Sequence, residues 1–149
     1  MPKLDKIIIK GYKSIENLEL NLSKFNILIG CNGAGKSNFI SFFKLLNNMI
    51  ENRLGIYVTK SGGANTLFHY GMKNTSNIDA DLYFGSKRYE LTLESSDNDQ
   101  LFFANEAVFF TEMFDKQLED NCLLFKESGH SKSKLLENNS KNIKDVRNA

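Results

Sequence analysis

Ile7, Ile8 and Ile9 form the first apolar run of the chain, and Ile15, Leu18, Leu20 and Leu22 follow with polar residues between them. These runs predict two strands, over 4–10 and 15–22, joined by a turn at Gly11, Tyr12, Lys13 and Ser14. A third run, Phe25, Ile27, Leu28 and Ile29, has the length and apolarity of a buried strand. Beyond it, Phe39, Phe42, Phe43, Leu46, Met49 and Ile50 recur at helical spacing. They predict a helix over about residues 36–52, with Gly55 marking its exit.

The next segment, Ser61, Gly62, Gly63, Ala64 and Asn65, reads as a flexible connector with a short helical turn leading to Leu67, Phe68, His69 and Tyr70. From residue 77 the period changes to two. Ile78, Ala80, Leu82 and Phe84 alternate with polar residues, Gly85 and Ser86 signal a turn, and Tyr89, Leu91 and Leu93 alternate again, which predicts a hairpin. Asp97, Asn98 and Asp99 mark the next turn, and 101–104 with 107–110 supply one or two further strands of a mostly antiparallel meander over 77–111. The domain expectation is therefore an N-terminal lobe over 1–112. Residues 113–149 read as an irregular or partly helical tail, truncated at its end and rich in Ser, Lys and Asn from 128 onward.

Between the third run and the helix stands G-C-N-G-A-G-K-S, residues 30–37, a complete match to G-x-x-x-x-G-K-[ST] in the strand–loop–helix order it requires. Several backbone N–H groups converge on one anion only where glycines permit unusual φ/ψ values and leave room for its approach. Gly30, Gly33 and Gly35 give that freedom. Lys36 is the residue expected to reach the β- and γ-phosphates, Ser37 the one to ligate Mg²⁺, and the helix start adds its positive end. The bland alternative, a glycine-rich turn with an incidental Lys-Ser, accounts for neither the full pattern nor its context.

Composition adds limits. The 149 residues include 41% apolar positions and twelve Phe, enough for one core, and 19 basic against 18 acidic residues leave a net charge of +1. No global electrostatic argument then favours nucleic acid or a membrane. Two cysteines, no secretory leader and no bilayer-length apolar stretch lead to the expectation of a reduced, soluble, cytoplasmic setting. Cys31 lies in the phosphate loop, where it reads first as a small residue that fits, and the sharper alternative is a thiol made reactive by the amide dipoles and Lys36.

The segment from Ile7 through Ile15, with Lys10, Gly11, Tyr12, Lys13 and Ser14 at its centre, followed by 25–29 and by 30–38, resembles the N-terminal part of RecF/SMC-like ABC-type ATPases. It is most similar there to the bacterial AAA-labelled predicted ATPases related to the OLD and RecF groups. Tyr12 stands for the usual Phe of that family and Cys31 for its usual Pro or Ala. The resemblance implies an α/β fold, the N-terminal portion of a P-loop NTPase head of ABC/RecF-like type with an antiparallel β subdomain. It further implies ATP and Mg²⁺ as ligands, with Asn32 and Ala34 through Ser37, and Asn38 beside them, wrapping the phosphates and Lys13 and Ser14 near the nucleotide. A head-to-head homodimer of the complete protein, a DNA or nuclease partner, and roles in DNA repair or phage defence are likewise implications of the resemblance. Central parallel strands would come from the family's C-terminal half, so part of the surface here is expected to be unusually apolar.

The family's signature motif, its Asp-Glu strand and its switch His have no match in these residues. The nearest imitation of the Asp-Glu strand is 101–106, an apolar run ending in Asn105 and Glu106. Gln100 and Gln117 sit in no matching motif, and His69 and His130 have no partner at metal-ligand spacing. A phosphate cradle without a positioned water predicts a chain that binds better than it cuts. The alternative function is a non-catalytic nucleotide-binding assembly or sensor module. A kinase or GTPase reading is weaker, because Asn142, Ile143, Lys144 and Asp145 give N-x-K-D rather than N-K-x-D.

Overall fold

The computed structural model describes residues 3–114 and 117–136. Six strands form one sheet: β1 (Lys6–Tyr12), β2 (Ile15–Asn21), β3 (Asn77–Phe84), β4 (Lys87–Ser95), β5 (Leu101–Phe114) and β6 (Gln117–Glu127). Their spatial order is β2-β1-β3-β4-β5-β6, and each of these pairs is antiparallel. Two helices, α1 (Lys36–Ile50) and α2 (Leu54–Lys60), interrupt the strands in sequence. Helices packed with a sheet agree with the α/β expectation only in the coarse sense, since every strand pair among the described residues is antiparallel.

The alternation of the sequence explains the layers. Ile7 and Ile9 on β1, Ile78, Ala80, Leu82 and Phe84 on β3, and Tyr89, Leu91 and Leu93 on β4 are all buried. Successive strand side chains point to opposite faces, so these positions share one face. Against them α1 sets Phe42, Leu45, Leu46 and Met49, buried at helical spacing. Each such large side chain contributes roughly 1.5–3 kcal/mol on burial. The opposite face carries a polar lattice: Arg88 Nε donates to Asp81 Oδ1 at 2.9 Å, Thr92 to Asp79 at 2.8 Å, and Asn105 to Glu90 at 2.7 Å.

A β-bulge changes the phase of β5. Thr92 pairs with Asn105 while Leu93 pairs with Phe103, which leaves Ala104 as the extra residue. The core-facing positions accordingly run Leu101, Phe103, then Glu106 and Val108, while Ala107 is buried on the opposite face. One inserted residue thus joins the two strand segments expected at 101–104 and 107–110 into one strand, and turns Glu106 onto the core face.

Three boundaries differ from the sequence expectation. The α1 helix ends at Ile50, and Asn52, at φ 56°, reverses the chain, so Gly55 lies inside α2 rather than at the exit of α1. Asn tolerates the left-handed region and ends helices much as Gly does. The tail expected from 113 contains β6, paired with β5 from Glu106↔Glu127 to Phe114↔Gln117. Most clearly, residues 25–29 join no strand of the sheet, and Phe25, Ile27 and Ile29 are 78%, 69% and 90% exposed. The expected buried strand is a surface segment here, because no described element covers it. The end of the chain, with 142–145, lies outside the described residues.

Candidate functional site

The turn between β1 and β2 and the loop that enters α1 meet at one end of the sheet. Lys13 takes the left-handed conformation, φ 50°, in a tight reversal in which Tyr12 pairs with Ile15. The turn is held from behind by the 64–75 segment. Lys13 N–H donates to the Leu67 carbonyl at 2.9 Å, His69 N–H to Gly11 at 2.9 Å, and His69 Nδ1–H to the Lys13 carbonyl at 2.8 Å. A Cβ on Gly11, whose φ is 72°, would stand 2.3 Å from the Asn77 carbonyl oxygen, so the chains approach this closely only with glycine there.

The loop itself has the backbone that its glycines allow. Gly33 and Gly35 lie at φ 86° and 84°, and Gly35 is the residue at which α1 begins. Gly35 has no side chain to cap the helix, and no acidic residue occupies the first turn. The first N–H groups of a helix have no intrahelical acceptor, so they remain as anion donors. Lys36 Nζ donates to the Gly30 carbonyl at 2.6 Å and to the Cys31 carbonyl at 2.7 Å, which folds the ammonium over the loop. Ser37 and Asn32 are exposed, and Asn38 Nδ2 donates to Ser14 Oγ at 2.7 Å. Ala34 N–H closes a turn on Cys31 at 3.3 Å.

Beside this loop lies a cleft of about 480 Å³, bordered by Ser14, Glu16, Leu18, Leu28, Gly35 and Lys36 among others. That volume is within the range of small-ligand sites. Lys13 does not enter this lining. Its ammonium donates to Ser41 Oγ at 3.3 Å and lies 5.4 Å from the Tyr12 ring centre, while the Tyr12 hydroxyl shares hydrogen bonds with Ser41 at 3.0 Å and Tyr57 at 3.3 Å. Burial, with Tyr57 adding to it, pushes the Tyr12 phenol well above its ordinary range.

The structure therefore brings together Gly30, Cys31, Ala34, Gly35, Lys36 and Asn38 with Ser14, and sets Lys13 one layer behind. The contributions of Ser41, Tyr57 and His69 had no local signal in sequence, because each acts on a residue at least 28 positions away. Glu106 belongs elsewhere. It is fully buried on β5, and its oxygens accept from Tyr89 at 2.7 Å, Ser133 at 2.6 Å and the Lys134 N–H at 2.8 Å. It is a core carboxyl and not the end of an Asp-Glu strand. Gln100 packs toward α2, its amide 3.4 Å from Thr59 Oγ1. Among the described residues no three His, Cys, Asp or Glu side chains gather as metal ligands, and no helix is long and apolar enough to cross a membrane.

Residues 2–148 match the family model of the AAA ATPase domain, and the chain belongs to that family. ATP binding in the general sense follows from that membership. No curated protein matches the chain.

Proposed function

We propose that this chain binds Mg-ATP through residues 30–37, as the N-terminal part of a RecF/SMC-like ABC-type head. The observation that carries this reading is the loop conformation: two left-handed glycines, an uncapped α1 start and Lys36 folded over the Gly30 and Cys31 carbonyls. Phosphate oxygens entering the loop would meet amide donors on one side and the ammonium on the other, an arrangement of fixed dipoles and one point charge. The donor set suits the metal as well. Mg²⁺ prefers oxygen ligands and keeps several waters, so the exposed Ser37 hydroxyl would serve as its protein ligand beside the phosphate oxygens of the nucleotide. ATP with its metal supplies the transferable phosphoryl group, and the residues here hold and orient it.

In this reading efficient hydrolysis belongs to the complete head, paired with a second head, while this chain alone binds better than it cuts, and the work is done on DNA or an associated nuclease in repair or phage defence. The second reading, a non-catalytic assembly or sensor module, is favoured by Glu106. The carboxyl at the end of the apolar run that imitates a catalytic strand is spent on Tyr89, Ser133 and Lys134. Melting and turnover separate the two. Under the proposal Mg-ATP at a hundredfold excess over Kd stabilises the chain by about 3 kcal/mol, with slow phosphate release that vanishes in Lys36→Ala. Stabilisation with no release attributable to Lys36 supports the module, and no stabilisation contradicts both.

A further inference from the structure

Residues 27–38 are attached to the sheet through very little. Within them, Lys36 bonds to the loop's own carbonyls and Ala34 to Cys31. Among the described residues, the hydrogen bond that ties this stretch to the sheet is the one from Asn38 Nδ2 to Ser14 Oγ, at 2.7 Å and across 24 positions of sequence. The same oxygen faces the glycine at which the loop becomes helix. A Cβ placed on Gly35 would stand 3.1 Å from Ser14 Oγ, closer than side chains ordinarily pack. The glycine there thus meets two demands, a φ of 84° and the close approach of a serine.

Ser14 is itself anchored. It sits on a two-residue reversal whose other member, Lys13, is fixed by Leu67, by the His69 ring and, through its ammonium, by Ser41 on α1. A rigid turn therefore presses one hydroxyl against the junction where the loop becomes helix. We infer that Ser14 and Asn38 are a pair of positioning residues that hold the Gly35 junction and the first turn of α1 in register, so that the loop amides converge before a nucleotide arrives.

This rests on the proposed Mg-ATP reading and adds the residues that preorganise the site. Ordering a loop in advance lowers the entropy that a ligand must overcome, and affinity gains accordingly. The bond is exposed, so its role in holding the fold is minor, whereas residues 27–38 make no other hydrogen bond to the sheet among the described residues. Asn38 acts through Ser14 and Ser14 through Asn38, which separates the pair from two independent phosphate contacts.

The experiment is a double-mutant cycle. Mg-ATP affinity is measured calorimetrically for the wild type, Ser14→Ala, Asn38→Ala and the double variant, with Lys36→Ala as the control for the site itself. Each single change is expected to weaken binding roughly fivefold, the equivalent of one net hydrogen bond. The double variant should lose no more than either single, the mark of a coupled pair. Wild-type affinity in the single variants, or losses that multiply in the double, would overturn the pairing. Amide hydrogen exchange across 30–38 in nucleotide-free protein gives a second reading that needs no ligand. Faster exchange confined to this stretch in both single variants supports the tether, and unchanged exchange refutes it. Failure of the wild type to bind would count against the Mg-ATP reading, while the exchange result decides the tether on its own.

Discussion

The hydroxyl of Tyr89 donates to Glu106 Oε1 at 2.7 Å across the β4–β5 ladder, inside a core in which both residues are buried. Ser133 and the Lys134 N–H donate to the same carboxyl and the His130 Nε2 lies 3.6 Å from it, so it fastens the segment after β6 onto the sheet. Glu106→Ala would remove the acceptor of the buried Tyr89 and Ser133 hydroxyls and of the half-buried Lys134 N–H. We expect a loss of about 3 kcal/mol, or roughly 10 °C in Tm, read by thermal unfolding. Nucleotide affinity of the folded variant should stay near that of the wild type, because Glu106 acts on the core and not on the loop.

Two of the five tyrosines link stability to alkaline pH. Burial, the facing Glu106 carboxyl and their hydrogen bond push the Tyr89 phenol well above its usual range, and burial with the neighbouring Tyr57 raises Tyr12 as well. In the unfolded chain both ionise near pH ~10. Below that value both states hold the protons and the contribution is complete. Above it the unfolded chain releases protons that the folded chain retains, so stability falls as pH rises toward the folded pKa values. Melting temperature measured from about pH 8 to about pH 11 should decline beyond about pH 10, together with late phenolate absorbance. A flat profile would contradict the burial of these phenols.

Residues 25–29 leave an apolar strip on the surface, with Phe25, Ile27 and Ile29 all exposed. Water contact at Phe25, Ile27 and Ile29 is costly, and contiguous apolar surface promotes association. We expect the wild type to bind a hydrophobic dye and to self-associate with rising concentration. The double substitution Ile27→Ser with Ile29→Ser should reduce both by severalfold without lowering Tm by more than about 1 kcal/mol equivalent, since surface positions carry little stability. Dye binding unaffected by the substitutions would place the apolar surface elsewhere.

Much of this was legible in the sequence where a local rule governs. Alternation at Ile78, Ala80, Leu82 and Phe84 and at Tyr89, Leu91 and Leu93 specified a hairpin, and the structure pairs these strands from Asn77↔Glu94 to Phe84↔Lys87 around Gly85 and Ser86. Helical spacing from Phe39 to Ile50 located α1 to within two residues of its end. What escaped is non-local. The bulge at Ala104 reversed the phase of β5, β6 pairs through a mixed polar stretch with no clean period, and α2 was hidden by Gly55, which read as a terminator. The run at 25–29 has the composition of an inner strand, and composition alone does not supply a partner. At the site, the glycine and lysine pattern was readable, but the contacts of Ser14, Ser41 and His69 depend on chain segments brought together by folding.

Calorimetric titration of the folded chain with Mg-ATP, beside Lys36→Ala, tests the central claim most directly. The account predicts saturable binding to the wild type and a loss of at least roughly tenfold in the variant, because the ammonium over Gly30 and Cys31 is the one full positive charge bonded within the loop. Equal affinity in the two proteins, or no heat from a folded wild type, would contradict it.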